Sequence, residues 1–191
     1  MLIPCARCRI VSRNQTDPHR VMFELSYRGI NHCIDNTFIY APRQKVLMLI
    51  DVIYPGWMPY KNLGVTVDVP GFVNAHYNAL AFDFETLVAG HVSRLGARDD
   101  VKVQLTFLQD LSQACERAYA ELSFPAFLTR QQGMGSSWNL HNDYETTLVD
   151  RVAAEVAPRW RDRLRGFDTY FRDNCWAMLE TFVVQGKPLF Q

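Results

Sequence analysis

YRGINHCIDNTFIYAPRQKVLMLID (residues 27–51) and, further on, LVAGH (residues 87–91) decide how this chain reads. Gly29 to Asn36 is a polar loop. Thr37-Phe38-Ile39-Tyr40 is β-rich, 41–45 is a turn, and Val46-Leu47-Met48-Leu49-Ile50 is a continuous apolar strand that ends in Asp51. Unbroken apolarity predicts burial on both faces, as in a sheet covered on both sides. Thr86 to Ala89 forms a second short strand, and Gly90 then lets the backbone turn sharply and present His91 at its tip. His32, Asp51 and His91 thus each stand at or just beyond the end of a β-rich run. Strand ends on one sheet edge are where α/β proteins place their chemistry.

Working outward, Val21, Phe23 and Leu25 alternate with Met22, Glu24 and Ser26, the period of a partly buried strand. Residues 1–20 show no sustained period and allow a short strand at most. After Asp51 comes a loop rich in rings and prolines, in which Tyr54, Trp57 and Tyr60 offer a rigid apolar pocket wall. Asp68 and Pro70 open a helix through about Ala81. From Asp99 the spacing of Val101, Leu105, Leu108, Leu111, Cys115, Tyr119 and Leu122 marks one face of a long helix to about 123. Pro125 breaks it, and 131–137, which holds Gly133 and Gly135 but no phosphate-loop lysine, reads as a linker. Helical patterning returns over 144–156, pauses at Pro158, continues to Leu164 and resumes over 168–184. The fold class is therefore α/β (α+β), with a sheet-bearing part over 1–97 and a helical C-terminal region over 98–191 packed on it.

A chain of 191 residues with 48% hydrophobic and 21% charged residues is an ordinary globular protein able to bury a substantial core. Its 20 basic and 20 acidic residues cancel, so no net field favours nucleic acid or an anionic membrane. Arg159, Arg161, Arg163 and Arg165, interleaved with Trp160, Asp162 and Leu164, read as a solvated helix face. The 5 cysteines form no disulfide framework, and Cys5-x-x-Cys8 lacks a second pair, so a reducing compartment is expected. No apolar run approaches a membrane span and no signal-peptide pattern opens the chain. The sequon at Asn14 has little meaning without one. The expectation is a cytoplasmic protein with neither nucleic-acid nor membrane partners.

Singly, histidines are mostly packed or surface residues, and His19, His76 and His141 are read so. Asp51 alone could cap a turn. Jointly, two imidazoles and a carboxylate are donors that a zinc-type ion prefers. A carboxylate delivered by an apolar strand also needs a partner, which a metal or a cluster of backbone N–H groups would supply.

Gly29-x-x-His32-x-x-x-Asn36, the hairpin ending at Asp51 and the strand ending at His91 together resemble the second half of the metallo-β-lactamase superfamily. The resemblance spans about residues 21–95, and the helical tail is similar to tails of some members. It implies part of an αβ/βα sandwich and zinc-dependent hydrolysis, in which metal-activated water attacks an ester, amide, thioester or phosphoester. It further implies His32 at the first zinc site, Asp51 as a ligand that bridges the metals or binds the second and as the water-orienting catalytic residue, and His91 at the second site. Tyr54, Trp57 and Tyr60 would wall the pocket for a small-molecule substrate.

One departure stands out: the His-x-His-x-Asp-His string of the family's first half is absent. Each metal would then keep only one or two ligands from this chain, below the three a catalytic zinc normally has. The half-sandwich also leaves a sheet edge open to pairing. Three readings follow. The chain is an incomplete hydrolase whose missing half lies elsewhere or in a second copy, a non-catalytic oligomerisation or protein-binding module, or an α+β domain with ordinary His and Asp residues. The third requires that His32, Asp51 and His91 not converge.

Overall fold

A computed structural model describes residues 7–10, 21–130 and 136–185. The Cys5-x-x-Cys8 side chains, the Asn14 sequon, His19 and most of the expected linker at 131–137 lie outside what it describes.

Five strands form one sheet in chain order: β1 (Arg7–Ile10), β2 (Phe23–Tyr27), β3 (Thr37–Ala41), β4 (Val46–Met48) and β5 (Thr86–Val88). β1 to β4 pair antiparallel as hairpin neighbours, whereas β5 lies parallel to β4, with Leu47 opposite Leu87. A parallel pair needs a long crossover. The chain supplies it with α1 (Lys61–Val65) and α2 (Val69–Leu80).

The apolar run at 46–50 behaves differently from its expected two-sided burial. Leu47 and Leu49 are fully buried, but Met48 between them is 36% exposed. Register explains this. Leu25, Ile39, Met48 and Val88 form one row across β2 to β5 and remain half-buried or exposed. On the other face Phe38, Tyr40, Leu47 and Leu87 enter the core. Among the described residues the sheet is therefore covered on one face only. The ladder of β4 is also shorter than expected, although Leu49 and Asp51 still donate to Val88 (3.1 Å) and Ala89 (3.2 Å). Those two bonds carry the chain alongside β5 until Asp51 lies level with Gly90.

Four further helices follow: α3 (Arg98–Glu121), α4 (Phe124–Arg130), α5 (Ser137–Trp160) and α6 (Phe167–Gln185). α3 begins where expected, and the Asp100 carboxylate accepts the backbone N–H of Ala97 at 2.8 Å. Pro125 does not break the chain there. It occupies the first turn of α4, where a missing N–H costs nothing. Nor does α5 pause at Pro158, which lies in its last turn with Ala154, the residue whose carbonyl loses a partner, exposed to water. One continuous core runs from Phe38 through α2 and α3 to Phe182 in α6. At its centre Trp160 is fully buried, edge-on to Phe107, and donates its indole N–H to Asp110 at 2.7 Å. No described helix is long and apolar enough to cross a membrane.

A buried polar knot fixes the segment that leaves Asp51. Gln104 of α3 accepts the N–H of Tyr54 (2.8 Å), donates to the carbonyl of Val52 (2.6 Å) and lies 2.8 Å from Nε2 of His76. Nδ1 of His76 lies 2.9 Å from the carbonyl of Phe72. The one arrangement satisfying every partner has Nδ1 protonated and Nε2 accepting from Gln104, a neutral imidazole. Full burial pushes the His76 pKa down from 6.5 to about 4. A base depressed in the native state gives stability that is complete above pH 6.5 and is lost as the unfolded chain takes up the proton between pH 6.5 and 4. We expect the unfolding free energy to fall by about 2 kcal/mol between pH 7 and pH 5 from this group alone. Urea titrations of the native chain and His76→Gln check it, because the variant should lose that part of the slope. Equal slopes would mean His76 is not held neutral.

Candidate functional site

The loop from Gly29 to Asn36 is built around Asn31, which is almost wholly buried. Its side-chain oxygen accepts the N–H of His32 at 2.7 Å and the amide of Asn36 at 2.9 Å, and its own amide donates to Gly29 at 3.1 Å. Asn36 also donates to the carbonyl of Ile50 at 2.9 Å. That bond straps the loop to the residue before Asp51 and so delivers His32 to the strand end. From the other side, Asp68 and Val67 donate their N–H groups to Asn31 (3.2 Å) and His32 (3.1 Å). α2 approaches so closely that a Cβ on Gly71 would meet the Ile30 carbonyl oxygen at 1.9 Å. Only glycine fits there.

Asp51 itself adopts the left-handed conformation with φ 62°, and Gly90 beside it has φ 102°. A Cβ on Gly90 would come within 3.3 Å of Asp51 Oδ1, so the glycine keeps the carboxylate's surroundings open. His32, Asp51 and His91 converge. Nε2 of His32 lies 3.4 Å from Asp51 Oδ2, and Nε2 of His91 lies 3.0 Å from Asp51 Oδ1. The His91 contact lacks hydrogen-bond geometry, and Asp51 Oδ1 and His32 Nδ1 are buried without a hydrogen-bond partner. The reading in which these residues are scattered and unrelated is therefore excluded by geometry.

The donors match a divalent ion in kind and in spacing. With ligand bonds of ~2.0–2.2 Å, two donors on one tetrahedral zinc stand ~3.3 Å apart, close to the two separations just given. They fall short in number. Each carboxylate oxygen is joined by one imidazole, and among the described residues no group of three or more His, Cys, Asp or Glu side chains is arranged to hold a metal.

This cluster lines a cavity of about 860 Å³. Tyr54, Trp57 and Tyr60 all line it, as the aromatic loop suggested, with Tyr54 largely buried and its hydroxyl donating to the Asp51 carbonyl at 3.2 Å. That burial pushes the Tyr54 phenol well above its usual range. Sequence reasoning missed the rest of the wall. Gly64 and Val65 come from α1, which is no ordinary helix: Asn62, Leu63, Gly64 and Val65 all have positive φ, a single left-handed turn. Arg165, Gly166, Thr169 and Tyr170 come from the turn before α6 and its first residues. Trp57 and Arg165 are bridged by two backbone bonds, Met58 N–H to Arg165 (2.9 Å) and Arg165 N–H to Gly56 (3.1 Å). Arg165 is thus not part of a solvated helix face. Arg159 is, in the last turn of α5, and Arg161 lies just beyond it; they pair with Asp110 (2.7 Å) and Asp168 (2.9 Å). The one readable hint is the Arg165-Gly166 step, whose glycine has φ 69° and lies against the Trp57 ring.

No protein-family model matches this chain, and no curated protein does. Solved structures do. A double mutant of the sec-alkyl sulfatase PisA1 superposes with a TM-score of 0.55 at 14% identity, over 96% of this chain and 26% of that one. The stereoselective inverting sec-alkylsulfatase Pisa1 from Pseudomonas sp. gives 0.50 at 20% identity, again over 96% and 26%. A metallo-beta-lactamase family protein from Thermus thermophilus gives 0.49 at 15% identity, over 88% of this chain and 48% of that one. The chain spans about half the length of that protein and about a quarter of the sulfatases. At these identities the likeness is one of fold. The chain has an α/β fold that superposes on about a quarter of the length of the sec-alkylsulfatase structures.

Proposed function

We propose that this chain carries the second half of a zinc-dependent hydrolase site of metallo-β-lactamase type. His32 and Asp51 would hold one ion, Asp51 and His91 a second, and the remaining donors would come from a complementing N-terminal half or a second copy. The observation that supports this reading is the convergence of both imidazoles on the two oxygens of one carboxylate in the wall of a cavity. Bound zinc would supply Lewis acidity and an activated water for attack on an ester, amide, thioester or phosphoester. The chain's own residues orient that chemistry. Asn31 and Asn36 hold His32, the β5 ladder holds Asp51, and the aromatic wall of Tyr54, Trp57 and Tyr60 excludes water from the apolar part of a substrate.

A second reading, a non-catalytic module that binds other proteins, is favoured by the half-exposed row Leu25, Ile39, Met48 and Val88 and by the short donor count. Elemental analysis after incubation with excess zinc separates the two, run with size-exclusion chromatography and chromogenic ester, thioester and phosphoester assays. The hydrolase reading expects about one or more zinc per chain. It expects metal and any turnover to be lost in His91→Ala without loss of folding, since that side chain is 77% exposed. A zinc-free, inactive, stable oligomer would reject it in favour of the module.

A further inference from the structure

Resting on the hydrolase reading and narrowing it, we propose that Arg165 is the specificity-determining residue of the cavity and receives an oxyanion on the substrate. The ligand class is then an amphiphilic anion: an apolar body against Trp57, Tyr60 and Tyr170, and a carboxylate, sulfate or phosphate end at Arg165.

One acidic and one basic residue line the cavity, Asp51 at the histidine cluster and Arg165. The carboxylate already faces both imidazoles. Arg165 has no ion pair and no side-chain hydrogen bond among the described residues, and its guanidinium stands 6.0 Å from the Trp57 ring centroid. Its neighbours differ. Arg159, Arg161 and Arg172 each pair with a carboxylate, at 2.7, 2.9 and 2.6 Å. Arg163 instead stacks on the Trp160 ring at 4.3 Å. A surface arginine without a partner is common. This one has its backbone fixed by two hydrogen bonds to the Trp57 loop, which the ordinary turn of a solvated arginine does not require. The tether holds the Arg165 backbone beside the aromatic wall of Trp57, Tyr60 and Tyr170. A guanidinium fork matches the geometry of carboxylate and sulfate oxygens and binds them bidentately.

The test is binding of 2-naphthoate, 2-naphthyl sulfate and neutral 2-naphthamide to metal-free chain by titration calorimetry. Both anions should bind the native chain about tenfold tighter than the amide, and Arg165→Gln should remove that preference while leaving amide affinity within about twofold. Arg165→Lys should keep part of it, because the charge persists and the fork does not. Three results would overturn the proposal: equal binding of anions and amide, a preference that survives Arg165→Gln, or no binding of any of the three. Because no metal is present, a chain that fails to take up zinc or to turn over substrate leaves this result unaffected, so the two ideas fail separately.

Discussion

Asn174→Ala should destabilise the chain by about 3–5 kcal/mol. Asn174 is fully buried in α6 and makes two hydrogen bonds to backbone groups far away in sequence. Its oxygen accepts the N–H of Leu63 at 2.6 Å, and its amide donates to the carbonyl of Pro59 at 2.8 Å. Alanine would leave both groups buried without partners, at ~1–3 kcal/mol each. The cost does not stop there. Leu63 and Val65 sit at φ 54°, a conformation that costs an L-residue roughly 1–2 kcal/mol. Such strain persists only where surroundings over-determine it. Here they are Asn174, the Gly64 N–H to Tyr60 bond at 2.8 Å and the Thr66 hydroxyl bond to Asn31 at 2.9 Å. With Asn174 gone, the turn should relax toward ordinary φ and carry Gly64 and Val65 out of the cavity wall. Thermal and urea unfolding measure the first effect, with a fall in melting temperature of roughly 10 °C for a chain this size. A loss under about 1 kcal/mol would mean the left-handed turn is held by something else.

That turn also shows where sequence reading stops. His32, Asp51 and His91 are legible because each follows a β-rich run, and strand ends on one edge of a sheet meet. The amphipathic faces of α3 and α6 are legible from period alone, because their buried positions repeat at helical spacing. The run Lys61-Asn62-Leu63-Gly64-Val65 carries no such signal. A lone glycine and an asparagine permit positive φ, but Leu63 and Val65 oppose it, and only tertiary bonds from a residue more than a hundred positions away decide the outcome.

The 46–50 strand departs from expectation for a related reason. An apolar run states what its residues prefer, not whether anything lies over them, and Met48 faces out because nothing described covers that face. Composition groups Arg165 with its neighbours, yet the chain leaves the helix at Trp160 and two backbone bonds redirect it to Trp57. Pro125 reads locally as a breaker, although a first-turn proline starts a helix as readily as it ends one. In each case a local rule is sound, and its context is set by a distant segment.

Asp51→Asn separates a functional site from a structural one. Asparagine keeps the size of the side chain and tolerates the left-handed backbone at φ 62°, which alanine does not do as well. It removes the negative charge on which the His32 and His91 nitrogens converge. A carboxylate oxygen that is buried and lacks a hydrogen-bond partner contributes little to folding and costs desolvation. In metal-free protein the substitution should therefore leave stability unchanged within about 1 kcal/mol or raise it. With zinc the sign reverses. An ion that binds only the native state stabilises it by about 2.7 kcal/mol at a hundred times its dissociation constant, roughly 5–10 °C here. Asp51→Asn should abolish that shift, because both imidazoles converge on its carboxylate. Differential scanning fluorimetry across a zinc titration reads both arms. Equal zinc shifts in native and variant protein would remove Asp51 from any metal site. A variant that loses several kcal/mol without zinc would make the carboxylate a structural group, tying the histidine loop to the sheet.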